Sequence, residues 1–101
     1  MTSWASWTTT GVLTGAGGIR TVEVGALSGD LTVHTTWIDG LAEIAVQYSG
    51  ALDWFTLVGS PVPCPSREES RSLHQAVIEA IREGEIEDAL SSPGGGRTGS
   101  A

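Results

Sequence analysis

Cys64 is the residue placed most like a chemical device. It stands two residues before Ser66, the expected cap of a helix, where free backbone amides and the helix dipole favour a thiolate. Pro63 and Pro65 flank it and restrict its backbone. A nucleophilic or redox cysteine also needs a base within hydrogen-bond reach. His34 and His74 are the two histidines that could serve, but the sequence brings neither to Cys64. No family-type signature surrounds the cysteine either, so its ordinary role is a small apolar linker residue. His34 falls mid-strand with Glu43 and Gln47 on the diagonals, a setting for a general base or a pH-sensitive group. A surface histidine on a polar face has the same surroundings. His74 flanks an apolar helical stripe and reads as a half-buried packing residue. Two histidines and one cysteine, all distant in sequence, make no zinc motif. Glu43 and Asp53 face different neighbours, so nothing suggests a shared proton. No catalytic residue, metal or cofactor is therefore assigned. His34, Cys64 and His74 remain the reactive or titrating candidates.

Gly11, Gly15, Gly17 and Gly18 invite comparison with a phosphate loop. Their spacing fits neither the dinucleotide fingerprint nor the P-loop, and Ile19-Arg20-Thr21-Val22 after them reads as strand where a helix N-terminus is needed. The chain contains no lysine, which removes Schiff-base chemistry and the P-loop lysine.

These residues must be positioned by a small fold. A chain of 101 residues supports one domain with one modest core. Its net charge of −7, from twelve acidic and five basic residues, argues against nucleic acid and against anionic membranes. A basic protein partner is compatible with it, as is a charge that only keeps the chain soluble. One cysteine excludes an internal disulfide and fits a reducing compartment. No secretory signal or spanning segment is visible, so a cytoplasmic location is expected.

The apolar pattern predicts an α+β fold: an antiparallel β-meander of four to five strands with one C-terminal amphipathic helix on one sheet face. Residues 1–18 are expected to be a flexible segment, with an extra strand over 7–10 as an option. Residues 19–90 form the domain, and 91–101 a disordered tail rich in Ser and Gly. Strands are expected over 19–24, 31–38, 41–48 and 52–58. Asp39-Gly40 is a two-residue hairpin signal, which pairs Ile38 with Leu41, Trp37 with Ala42, and so on to Leu31 with Tyr48. A three-residue turn at Ser49-Gly50-Ala51 then sets Val46 against Trp54 and Ile44 against Thr56. Setting Val24 against Leu31 and Val22 against Val33 completes an inner face of Val22, Val24, Leu31, Val33, Trp37, Ala42, Ile44, Val46, Tyr48, Leu52, Trp54 and Val58. Residues 59–65 read as an extended linker. Ser66 with Glu69 forms a capping box. The helix runs to about Arg82, with Gly84 as its terminator and Leu73, Val77, Ala80 and Ile81 as its buried stripe. Residues 85–90 add a short helical turn.

Ile19, Phe55 and Leu57 are left on the second sheet face, and Trp4 and Trp7 lie outside any firm element. Exposed tryptophan and apolar sheet surface mark interaction sites. The expected function is therefore non-enzymatic: an interaction or regulatory module. Its partner is itself, as a homodimer through the outer sheet face, or an unidentified protein of basic character, with Trp4, Trp7, Ile19, Phe55 and Leu57 as the interaction residues. The alternative is a small ligand-binding or enzymatic domain with a pocket between helix and sheet.

Overall fold

The computed structural model describes residues 3–84. The short turn expected over 85–90 and the tail over 91–101 lie outside the described residues. The fold is α+β, with the elements β1 (Trp4–Leu13), β2 (Ile19–Thr21), β3 (Gly25–Leu27), β4 (Asp30–Ile38), β5 (Leu41–Tyr48), β6 (Phe55–Thr56), β7 (Val62–Pro63) and α1 (Arg67–Glu83). An antiparallel sheet of five strands runs β1-β4-β5-β6, with β7 also on β5, and a single helix packs against it.

The β4–β5 hairpin has the register that its turn dictates. Ile38 pairs with Leu41 and Leu31 with Tyr48, with every pair between them in step. Asp39 and Gly40 both take positive φ, at 46° and 91°, as a type I′ turn requires. Along β4 the odd positions Leu31, Val33, Thr35 and Trp37 are buried towards the helix. Their partners Ala42, Ile44 and Val46 are fully buried on the same face.

The strand beside β4 is not 19–24. It is β1, a ten-residue strand where flexibility with a short strand over 7–10 was expected. β-branched threonines and tryptophan favour the extended form. Thr10 and Gly11 together face Thr32 alone, a bulge between the Thr9–Val33 and Val12–Leu31 pairs that Gly11 permits with φ of 69°. Residues 19–24 break because Thr21 folds the chain on itself. Its hydroxyl donates to Gly25 O (2.8 Å) and accepts from Val24 N–H (3.2 Å). β2 and β3 therefore form a separate small hairpin. Its turn leaves Val22 and Val24 exposed, not in the inner face.

The pairing after β5 is shifted by one residue from expectation. Val46 meets Phe55 and Ala45 meets Thr56. The loop from Ser49 to Trp54 is held by its own bonds, Ala51 N–H to Tyr48 O (2.8 Å) and Gln47 Nε2 to Ala51 O (3.1 Å), and lies outside the strands. A one-residue slip exchanges sheet faces. Leu57 is consequently fully buried and Phe55 packs on the core, whereas Leu52, Trp54 and Val58 are exposed, as is Tyr48 at the strand end. β2 lies along the far side of this segment through a Thr21–Leu57 bridge and the bonds Val22 N–H to Thr56 O and Val58 N–H to Arg20 O. Within the expected linker, Val62–Pro63 is strand β7 on β5. Where the ladder is interrupted, Ser60 Oγ accepts the Ile44 N–H at 2.7 Å and Ile44 O takes the Leu57 N–H.

The helix follows its sequence signals. Ser66 is the N-cap and accepts the Glu69 N–H (3.2 Å), a contact of about 1 kcal/mol. Gly84 ends the helix in the left-handed conformation. Leu73, His74, Val77, Ile78, Ala80 and Ile81 are buried against the sheet, at about 1.5–3 kcal/mol for each large apolar side chain. The glycine run packs against the helix end. Gly15 N–H donates to Ile81 O (2.8 Å), and a Cβ on Gly15 would lie 2.6 Å from Arg82 O. The run is a close-approach device that closes the helix C-terminus.

Candidate functional site

The two histidines occupy opposite faces of the sheet. His74 projects from α1 into the helix–sheet seam, where Nδ1 meets Thr35 Oγ1 at 2.8 Å and Nε2 meets Thr9 Oγ1 at 2.9 Å. Neutral imidazole has one donor and one acceptor, so one threonine donates to the ring and the other accepts from it. Burial pushes the His74 pKa down, and the proximity of His34 adds to the effect. Imidazole beside hydroxyl is the grammar of an activated nucleophile. Here, however, Thr35 is fully buried and no carboxylate among the described residues orients the ring, so the arrangement acts as a satisfied polar bolt between α1, β1 and β4.

Cys64 is buried as well. Its thiol points at Ser66 O (3.6 Å), and burial pushes its pKa up. Desolvation is the largest cause, with the Glu69 carboxylate adding to it, so the thiol form is favoured over a thiolate at this position. Its carbonyl accepts the Trp37 indole N–H at 2.8 Å, and its own N–H donates to Gly40 O at 2.8 Å. Cys64 fastens the segment before the helix to the β4–β5 hairpin. Among the described residues no cluster of side chains has metal-ligand composition.

The five residues expected to take part in interaction divide. Ile19 and Leu57 are buried in the core and Phe55 packs against it. Ile19 and Leu57 offer no open surface and Phe55 only part of its side chain, because the Thr21 fold-back and the one-residue shift after β5 turn them inward. Trp7 is half-buried on the helix side, its indole N–H held by Ser70 Oγ at 2.9 Å with the Arg71 guanidinium 5.9 Å from its ring. Of the five, Trp4 alone is openly exposed, at 64%.

The face opposite the helix nevertheless carries an apolar surface. Trp4 pairs with Ile38 and Ile38 with Leu41, so three exposed apolar side chains form one row across β1, β4 and β5. Ser6, Thr36 and Glu43 form the next row, and Thr8, His34, Ala45 and Thr56 the one after. His34 accepts or donates at Thr8 Oγ1 (2.7 Å), and its ring lies 5.8 Å from that of exposed Trp54. Ile38 and Leu41 were missed as surface residues although the hairpin register already paired them. They lie on the His34 side of the pleat, where no element among the described residues covers them.

A hollow of about 660 Å³ runs along the solvent side of α1, lined by Glu68, Arg71, Ser72, Gln75, Ala76 and Glu79. Neither histidine nor Cys64 lines it. No described helix is long and apolar enough to cross a membrane. Comparison with protein-family models, with curated proteins and with solved structures finds no match.

Proposed function

We propose that this chain is a non-enzymatic protein-interaction module that presents the open face of its sheet to a second polypeptide. The observation that carries this reading is the exposed row Trp4–Ile38–Leu41, with Trp54 farther along the same face. Apolar side chains rimmed by hydroxyls and isolated charges have the composition of an interface centre. Glu43 on the face and Asp39 in the adjoining turn, in a chain of net charge −7, suit a partner that brings an apolar anchor flanked by positive charge.

The pocket reading finds less support. Val12, Val33, Ile44, Val77 and Ile81, each at 0% exposure, fill the space beneath the helix, and no unsatisfied buried polar atom marks a ligand position among the described residues.

The test is native mass spectrometry of protein purified gently from its own cells, beside the variants Ile38→Asp and Leu41→Asp. A second polypeptide retained by the parent and lost from both variants, with unchanged circular dichroism, is the expected result. A retained small-molecule mass unaffected by either variant would refute the reading and favour the pocket.

A further inference from the structure

We propose that two copies of this chain associate about a two-fold axis, with α1 antiparallel to α1 and the uncharged β1 edges side by side. The inference rests on the reading that the chain works by contact, but uses a different surface from the open sheet face.

The first support is the distribution of charge. The first nineteen residues carry no charged side chain, although the chain as a whole has a net charge of −7. Two copies repel each other over most of their surfaces and are least opposed where β1 meets β1. Among the described residues, β1 is an edge strand, with β4 its only partner. Asp39 N–H donates to Ser3 O (3.2 Å), which makes the odd positions of β1 the hydrogen-bonded ones in the ladder with β4. The N–H and C=O of Trp4, Ser6 and Thr8 therefore point to the free edge. That edge has no lysine, proline or inward charge, the usual protections of an unpaired strand.

The second support is a self-complementary stripe on the helix. Glu68, Arg71, Gln75, Glu79 and Arg82 are all exposed and fall along one side of α1. Arg71, over the Trp7 ring, is the member of the stripe that leans towards β1, and Glu68 and Glu79 stand on its solvent side. Reversing the stripe about Gln75 sets Glu68 against Arg82 of the second copy, and Arg71 against Glu79. Within the described residues these charges form no ion pairs along their own helix.

The third support is distance. His74 bonds to both Thr9 on β1 and Thr35 on β4, so α1 lies above the seam between the two strands. With strands about 4.8 Å apart and the axis half a spacing outside β1, the two helices stand about 10 Å apart, within the reach of packed helices. Gln75 follows His74, which is level with Thr9 near the middle of β1. Helix and strand thus place the axis at the same height. The bulge at Thr10 and Gly11 prevents an unbroken ladder between the edges, which leaves register to the helix charges.

The test is sedimentation velocity on the full chain and on Arg71→Glu, Glu79→Arg and the double variant. The parent should be a dimer. Each single reversal should weaken association by at least about tenfold, since it sets like charges together at two symmetric places. The double variant should recover the dimer, and so should a mixture of the two single variants, in which the two reversed side chains meet each other across the axis. A monomeric parent would overturn the inference, as would a dimer indifferent to the reversals or weakening without rescue. Leu41→Asp separates the two surfaces: it should leave the dimer intact while removing any other partner. If it dissolves the dimer and the helix reversals do not, the copies meet through the open face and the inference falls.

Discussion

Replacing His74 with leucine should destabilise the fold by about 2 kcal/mol and remove a pH dependence. The side chain bridges Thr35 and Thr9, at 2.8 and 2.9 Å. Thr35 is fully buried, so its stranded hydroxyl costs about 1–3 kcal/mol. Thr9 is half-buried and can turn to water, so its loss is about 1 kcal/mol or less. Apolar contacts of the leucine offset part of the total. In a domain of this size the melting temperature should fall by roughly 10 °C. Adding Thr35→Val should recover much of the loss, because an apolar pair of similar shape leaves nothing unsatisfied. The pH effect follows from burial, which lowers the His74 pKa below its ordinary value of 6.5. Above that value both folded and unfolded chains hold a neutral ring, and there is no penalty. As pH falls below it, the unfolded chain takes up a proton that the folded chain refuses. Stability then falls by up to about 1.4 kcal/mol per pH unit until the folded pKa is reached. Urea unfolding of parent and His74→Leu between pH 8 and pH 5 measures both effects, with His34 present in each protein. Identical pH slopes, or a leucine variant as stable as the parent, would refute the account of His74 as a neutral bolt.

Gly15→Ala should destabilise the chain by about 1–3 kcal/mol, read from the urea midpoint, because its Cβ would lie 2.6 Å from the rigid carbonyl of Arg82. The Cys64 thiol, buried and with its pKa pushed up, should react with thiol reagents at neutral pH only as fast as the chain opens; labelling kinetics across a urea series would show this. Glu23 should titrate below the usual carboxylate range in a carbon-detected pH series, because Thr56 N–H (2.7 Å) and Thr56 Oγ1 (2.8 Å) both donate to its carboxylate. The stability it contributes is present above the unfolded pKa and is lost as pH falls through the lower folded one; Glu23→Gln should flatten that part of the acid limb.

What the sequence makes legible follows the reach of its signals. The β4–β5 register is specified locally, since Asp39-Gly40 permits one turn geometry and the alternating run on each side then has one parity. The helix is equally explicit, from the Ser66 cap to the Gly84 terminator. The failures lie where two parities are equally apolar. In Leu52-Asp53-Trp54-Phe55-Thr56-Leu57-Val58 either phase buries large side chains, and the choice was made by bonds that no periodicity records: the Ser49 to Trp54 loop and the Ser60 hydroxyl on Ile44. The same holds for Ile19-Arg20-Thr21-Val22-Glu23-Val24, whose alternation imitates a strand although one threonine hydroxyl folds it into a turn.

These misreadings bear directly on function. Phe55 and Leu57 on the outer face would give an interface a different set of residues, whereas the observed phase buries Leu57 and packs a half-buried Phe55 against the core. An exposed apolar row remains because the pleat is kept across the hairpin: once Trp37 and Ala42 point inward, Ile38 and Leu41 must point outward, and β1 adds Trp4 beside them. The corrected surface thus depends on the strand pair whose register the turn fixes. The residues that looked most chemical, His74 and Cys64, are drawn into the core, where their polar atoms join one element to another. Chemistry at those positions would require opening the fold, whereas contact through the sheet face or the helix stripe requires no rearrangement. The two surfaces on which the proposals rest are therefore already exposed in the folded chain.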